Sequence, residues 1–133
     1  MLFRSKVDFE YVVALANMGK QAGASKFLVI SAMGADSKSA FFYNKVKGMT
    51  EEALINIGFK QLVIFRPSLL LGKRTEARFA ERVSGAFMKT FNFLIPDNYK
   101  AIEAEKVAGS MLKMANNSAE AVLIVKSGEM QRE

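Results

Sequence analysis

Phe27-Leu28-Val29-Ile30, running directly into Ser31-Ala32-Met33-Gly34-Ala35-Asp36-Ser37, is the stretch that decides the fold class. Four apolar residues in a row, with no polar alternation, mark a strand buried on both faces, as in parallel sheets. The small and polar residues behind it mark a loop at the strand's C-terminal end. The same pattern returns at Leu62-Val63-Ile64-Phe65, broken by Pro67, and again from Ala121 to Val125. Between these runs the period changes. Val7, Tyr11, Val12, Leu15, Ala16 and Met18 recur at helical spacing, with Ser5 and Asp8 set as a capping box and Gly23 as a stop. A second helix is predicted from Ala40 to Ile57, ending at Gly58, and a third from Thr75 to Thr90. Pro96-Asp97-Asn98 reads as a turn, and a fourth helix runs from Glu103 to Ala115 and ends at Asn116-Asn117. The tail from Lys126 to Glu133 is polar and reads as frayed. Strands alternating with amphipathic helices predict an α/β fold, a parallel sheet of three strong strands flanked by helices with right-handed crossovers. Open sheets of this kind usually hold more strands, so the chain reads as part of one.

The 133 residues are 50% hydrophobic and 24% charged, the composition of one globular domain. No apolar run approaches the ~20 residues that span a bilayer. Met1 to Glu10 lacks the apolar block of a signal peptide, so a cytoplasmic protein is expected, with no membrane partner. There is no cysteine and no histidine. That excludes disulfides, thiol nucleophiles, Ser–His–Asp triads and the usual zinc sites, so no metal is expected. Catalysis is left to Tyr, Lys, Ser, Asp, Glu or a bound cofactor. The net charge of +6 is scattered. Its densest cluster, Lys73, Arg74, Arg78, Arg82 and Lys89, is diluted by Glu76 and Glu81, and no aromatic-rich RNA motif accompanies it. A solvated surface therefore fits better than a nucleic-acid footprint. Phe87, Phe91 and Phe93 fit core packing, and Glu51 and Glu52 are expected in solvent without an acid–base role.

The chemistry concentrates in Ser31, Tyr43 and Lys47. Ser31 falls at the predicted C-terminal end of a strand, where open α/β sheets bind their ligands. Tyr43 and Lys47 are four residues apart on one predicted helix and share a face. An ammonium beside a phenol favours the phenolate. A tyrosine tuned in this way gives or takes a proton at a carbonyl or alcohol, and a serine hydroxyl can hold the same oxygen.

Tyr43-Asn44-Lys45-Val46-Lys47-Gly48, preceded by the Phe27–Asp36 run, resembles short-chain dehydrogenase/reductases of the atypical kind. The resemblance is strongest to the NmrA-like proteins and the Tat-interacting oxidoreductase-like group. Ile64-Phe65-Arg66-Pro67-Ser68-Leu69-Leu70-Leu71-Gly72 resembles that group's Phe-Arg-Pro-Gly turn, with Ser68 in place of the glycine, and the likeness extends from Val7 to Met114. It implies a single domain over residues 1–133, the catalytic and C-terminal portion of an NAD(P)-binding Rossmann-like fold. It implies that Tyr43 is the proton donor or acceptor, that Lys47 supports it and holds the nicotinamide ribose, and that Ser31 orients the substrate carbonyl. Pro67, Leu70 and Arg78 would lie near the cofactor. The family's Gly-x-x-Gly-x-x-Gly loop, which holds the pyrophosphate, is absent from the glycines of this chain.

The resemblance thus implies a truncated oxidoreductase acting on a small carbonyl substrate, with weak or absent binding of NADP or NAD and weak or no activity alone. The alternative is a non-catalytic NmrA-like module that senses dinucleotides or binds proteins. A sheet missing its neighbouring strands bares one edge, which invites a homodimer. A clean monomer by light scattering at high concentration counts against that.

Overall fold

The computed structural model describes residues 6–68, 70–71, 101–117 and 121–132. Ser5, the predicted helix over 75–90, Arg78, the basic cluster, the three phenylalanines and the Pro96 turn lie outside the described residues. A π-helical turn, Lys6–Tyr11, runs into α1, Val12–Gln21. β1, Lys26–Ile30, is followed by α2, Phe42–Ile57, and β2, Gln61–Arg66. Two short strands, β3 at Leu70–Leu71 and β4 at Ile102–Glu103, precede α3, Ala104–Ala115. β5, Val122–Lys126, and α4, Ser127–Gln131, complete the described chain.

The main sheet has the order β1-β2-β5, and both pairings are parallel. β3 and β4 form a separate parallel pair. The expected α/β class is therefore observed: a partial Rossmann-like sheet with helices on both faces. Phe27, Val29, Leu62 and Ile64 pack with Ala16 of α1 and Leu54 of α2 on one face. Leu28, Val63, Phe65 and Val125 pack with Val107 of α3 and Met130 of α4 on the other. The alternation of side chains along a strand produces this division.

Burial on both faces holds for β2, which is buried from Gln61 through Phe65. It does not hold for β1 and β5, which are partly exposed because they flank β2 at the edges of the described sheet. Ile30, Val122 and Ile124 are exposed, and the last two face the side that carries α1 and α2. The outer edge of β1 has no partner strand among the described residues.

Gly58 ends α2 in the left-handed conformation, φ 84°, as its sequence position predicts. Lys26 donates its ammonium to the carbonyls of Ala115 (2.6 Å), Met114 (3.4 Å) and Asn117, so β1 caps the C-terminal end of α3. A cation there also complements the helix dipole.

The tail corrects the sequence expectation of a frayed end. Met130 is fully buried, and α4 forms around it. Gln131 Nε2 donates to the carbonyl of Ala101 at 2.7 Å, and Lys106 Nζ to the carbonyl of Gln131 at 3.1 Å. One buried methionine and two tethers outweigh the polar composition of the segment.

Candidate functional site

The C-terminal tips of β1 and β2 are joined beyond their ladder. The Ser31 amide donates to Phe65 O at 2.7 Å, and the Met33 amide to Pro67 O at 3.0 Å. This seats Ser31 at the end of β1, at 7% exposure. Its hydroxyl is buried and forms no hydrogen bond among the described residues.

The loop beyond Ser31 lies against α2. The Asp36 amide donates to Asn44 O at 3.0 Å, and Ser37 Oγ donates to Glu52 Oε1 at 2.5 Å. Gly48 allows this approach. A Cβ at position 48 would overlap Ser37 N and the Asp36 carbonyl carbon, and would stand 2.7 Å from Asp36 Cα. Those are backbone atoms and cannot swing aside. Alanine normally gains about 1 kcal/mol over glycine in a helix, whereas overpacking costs about 1–3 kcal/mol. Gly48→Ala is therefore expected to destabilise the chain. Gly109→Ala is expected to stabilise it by up to about 1 kcal/mol, because a Cβ there meets nothing within 4 Å among the described residues. Urea unfolding of the two variants checks both signs.

Tyr43 stands in the first turn of α2 and is 44% exposed. One turn later, the Lys47 ammonium lies 5.7 Å from the centroid of the Tyr43 ring. The same ammonium is 3.6 Å from Asp8 Oδ1. Tyr43 and Lys47 are thus brought together, whereas the Ser31 hydroxyl bonds to neither. Pro67 is buried beside the strand tip, and Leu70 enters β3.

Two charged contacts escape sequence reasoning. Asp8, read as part of a capping box with Ser5, which lies outside the described residues, also turns its carboxylate to Lys47. Glu51, expected in solvent, is 5% exposed and accepts two hydrogen bonds from Arg66: Nε at 3.0 Å and the terminal nitrogen at 2.5 Å. The Arg66 guanidinium is held above its ordinary pKa by these hydrogen bonds and by the Glu51 charge, against an opposing effect of burial. Glu51 is buried because it lies one turn after Lys47 on the face of α2 that meets β2. Glu52 stays at the surface, as expected.

The three-stranded parallel sheet with helices on both faces makes this an α/β protein with a partial Rossmann-like fold. Sequence comparison points the same way. Over 112 residues, 84% of this chain, it is 34% identical to Protein HTATIP2 of Rattus norvegicus, 45% of which is covered. Over 82 residues, 62% of this chain, it is 40% identical to the protein named "Protein fmp52, mitochondrial" of Emericella nidulans, 35% of which is covered. The corresponding Candida albicans protein is 39% identical over 72 residues. No family model matches the chain. The chain spans between about a third and just under half of the length of these curated relatives. Their homology supports the resemblance to atypical short-chain dehydrogenase/reductases of the NmrA-like kind. The fmp52 relatives are named as mitochondrial, so they lend no support to a cytoplasmic location. Among the described residues no helix is long and apolar enough to cross a membrane.

Proposed function

We propose that this chain carries the proton-transfer site of an NAD(P)-dependent oxidoreductase of the atypical short-chain class. Tyr43 delivers its hydroxyl proton to a carbonyl oxygen as the carbonyl is reduced, and takes it back in the reverse direction. The observation that carries this reading is the Lys47 ammonium over the Tyr43 ring; the Ser31 hydroxyl at a parallel strand tip, buried and without a hydrogen bond among the described residues, supports it. A buried hydroxyl without a partner is disfavoured by about 1–3 kcal/mol, and a substrate oxygen would supply that partner. An ammonium has three donors, and one carboxylate at 3.6 Å does not exhaust them, so Lys47 can also reach ribose hydroxyls. A nicotinamide, when bound, supplies or accepts the hydride. By the resemblance, Pro67, Leu70 and Arg78, the last outside the described residues, would lie near it. The residues present fit the nicotinamide end of a dinucleotide. No glycine-rich loop in this chain fits the pyrophosphate.

The test follows from that asymmetry. Saturation-transfer NMR with millimolar NADH or NADPH is expected to show contact at the nicotinamide and its ribose rather than at the adenine. Lys47→Ala is expected to weaken it roughly 10- to 100-fold, the loss of a charged hydrogen bond. Contact at the adenine alone, or contact indifferent to Lys47→Ala, refutes the reading. The alternative reading is a dinucleotide-sensing module without turnover. Lys47-dependent binding without reduction of any carbonyl would select it.

A further inference from the structure

We propose that Asp8 is a positioning residue for this site: its carboxylate holds the Lys47 side chain in place over the Tyr43 ring. The inference rests on the proposed role of Lys47 for its functional meaning, though not for its geometry. Asp8 lies in the π-helical turn Lys6–Tyr11, which precedes α1. π-helical turns are rare and often mark functional sites. The turn is fastened to α2. Thr50 Oγ1 lies 2.8 Å from Asp8 O and equally 2.8 Å from Val46 O, so its single proton is shared between the two carbonyls. Thr50 stands three residues after Lys47 and is itself buried. The Asp8 backbone is therefore fixed beside the helix that carries the Tyr–Lys pair.

From that anchor the carboxylate reaches Lys47 Nζ at 3.6 Å, with 15% of the lysine side chain and 23% of the aspartate side chain exposed. A lysine side chain has four rotatable bonds and loses much rotamer freedom when fixed. A face-on aromatic ring at the surface returns less than that loss. The ring alone does not hold the ammonium, and the carboxylate supplies the second contact. The pair is long enough to be exchanged, so Lys47 can turn toward an incoming hydroxyl without a large barrier. Asp8 thus sets where Lys47 waits, while the reacting oxygen is Tyr43's.

The experiment uses the chain itself and needs neither dinucleotide nor turnover. Acylation of each lysine by an N-hydroxysuccinimide ester is followed by mass spectrometry, with exposed Lys45 as the internal reference. Asp8→Asn is expected to raise the Lys47 rate about two- to fivefold relative to Lys45, the range expected for loss of a partly exposed ion pair. Asp8→Glu, which keeps the charge, is expected to return it to within twofold of wild type. In NMR spectra, the Lys47 ε-methylene protons should lose their ring-current shift in Asp8→Asn. A folded Asp8→Asn chain with both signals unchanged overturns the proposal, as does failure of Asp8→Glu to rescue. Should Asp8→Asn not fold, the wild-type chain carries the test. Raising the salt to about 1 M screens the pair and must increase Lys47 acylation relative to Lys45. No increase overturns the proposal. If dinucleotide contact proves indifferent to Lys47 while Asp8→Asn still releases it, the oxidoreductase reading falls and the positioning by Asp8 stands.

Discussion

Tyr43→Phe is expected to lower carbonyl reduction about 10²–10⁴-fold while leaving stability and dinucleotide contact unchanged. The substitution removes one hydroxyl and keeps the ring. Tyr43 is 44% exposed, so no core contact is lost. The ring that faces the Lys47 ammonium remains. What disappears is the proton that must reach the substrate oxygen as it becomes an alkoxide. In barrier terms the range corresponds to about 3–5 kcal/mol, more than any single packing change at this exposed position could produce. The measurement is the loss of reduced-nicotinamide absorbance over a panel of aldehydes and ketones at millimolar dinucleotide. Equal rates for wild type and Tyr43→Phe on every accepted substrate would remove Tyr43 from the chemistry. A wild-type chain that contacts the dinucleotide through Lys47 and reduces nothing would favour the sensing module.

What was legible in the sequence follows from the range over which each signal acts. The three long strands, the helix from Phe42 to Ile57 and its stop at Gly58 are local patterns, and they appear where the residues place them. The Tyr43–Lys47 proximity is likewise fixed by one helical turn. The partners that organise the site are not local. Asp8 and Lys47 are brought together by the packing of the first helical segment on α2, and Glu51 meets Arg66 across the helix–strand interface. A carboxylate on a charged stretch reads as solvated until the facing strand is known to end in an arginine. Met130 shows the same limit, because its burial depends on α3 and β5, and neither leaves a trace in the composition of the tail. Loop proximity at Gly48 also escaped, since a glycine in a helix signals only tolerance until the Asp36–Ser37 backbone is found against it.

The Glu51–Arg66 pair gives the largest expected effect on stability, and an asymmetric one. Arg66→Met is expected to cost about 3–4 kcal/mol and Glu51→Gln only about 1–2 kcal/mol, although both break the same pair. The difference comes from what is left behind. Without Arg66, the Glu51 carboxylate is stranded at 7% side-chain exposure. Without the Glu51 charge, the Arg66 side chain, 26% exposed, can still turn toward water, and a glutamine can accept one of its bonds. Replacing both by apolar residues, Glu51→Leu with Arg66→Met, should recover most of the loss, since a buried ion pair is worth little against well-packed hydrophobic groups. Urea midpoints for the two single variants and the double variant, at constant m-value, test the order. Equal losses for both single variants would mean that Glu51 reaches solvent. The raised Arg66 pKa adds a sign: its stabilisation is complete below the unfolded value and is lost only as pH rises through the still higher folded one. Titration of Arg66 should therefore contribute nothing to the pH dependence of stability in the neutral range. The pair also bears on function. Glu51 lies one turn beyond Lys47, and Arg66 precedes Pro67, whose carbonyl holds the loop after Ser31. It is thus the direct tie between the helix that bears the Tyr–Lys pair and the strand tip that seats the serine. The apolar double variant separates the two roles. Stability should return, but the bidentate geometry that fixes the helix against the strand tip does not, so carbonyl reduction should remain below wild type even where the unfolding midpoint is restored.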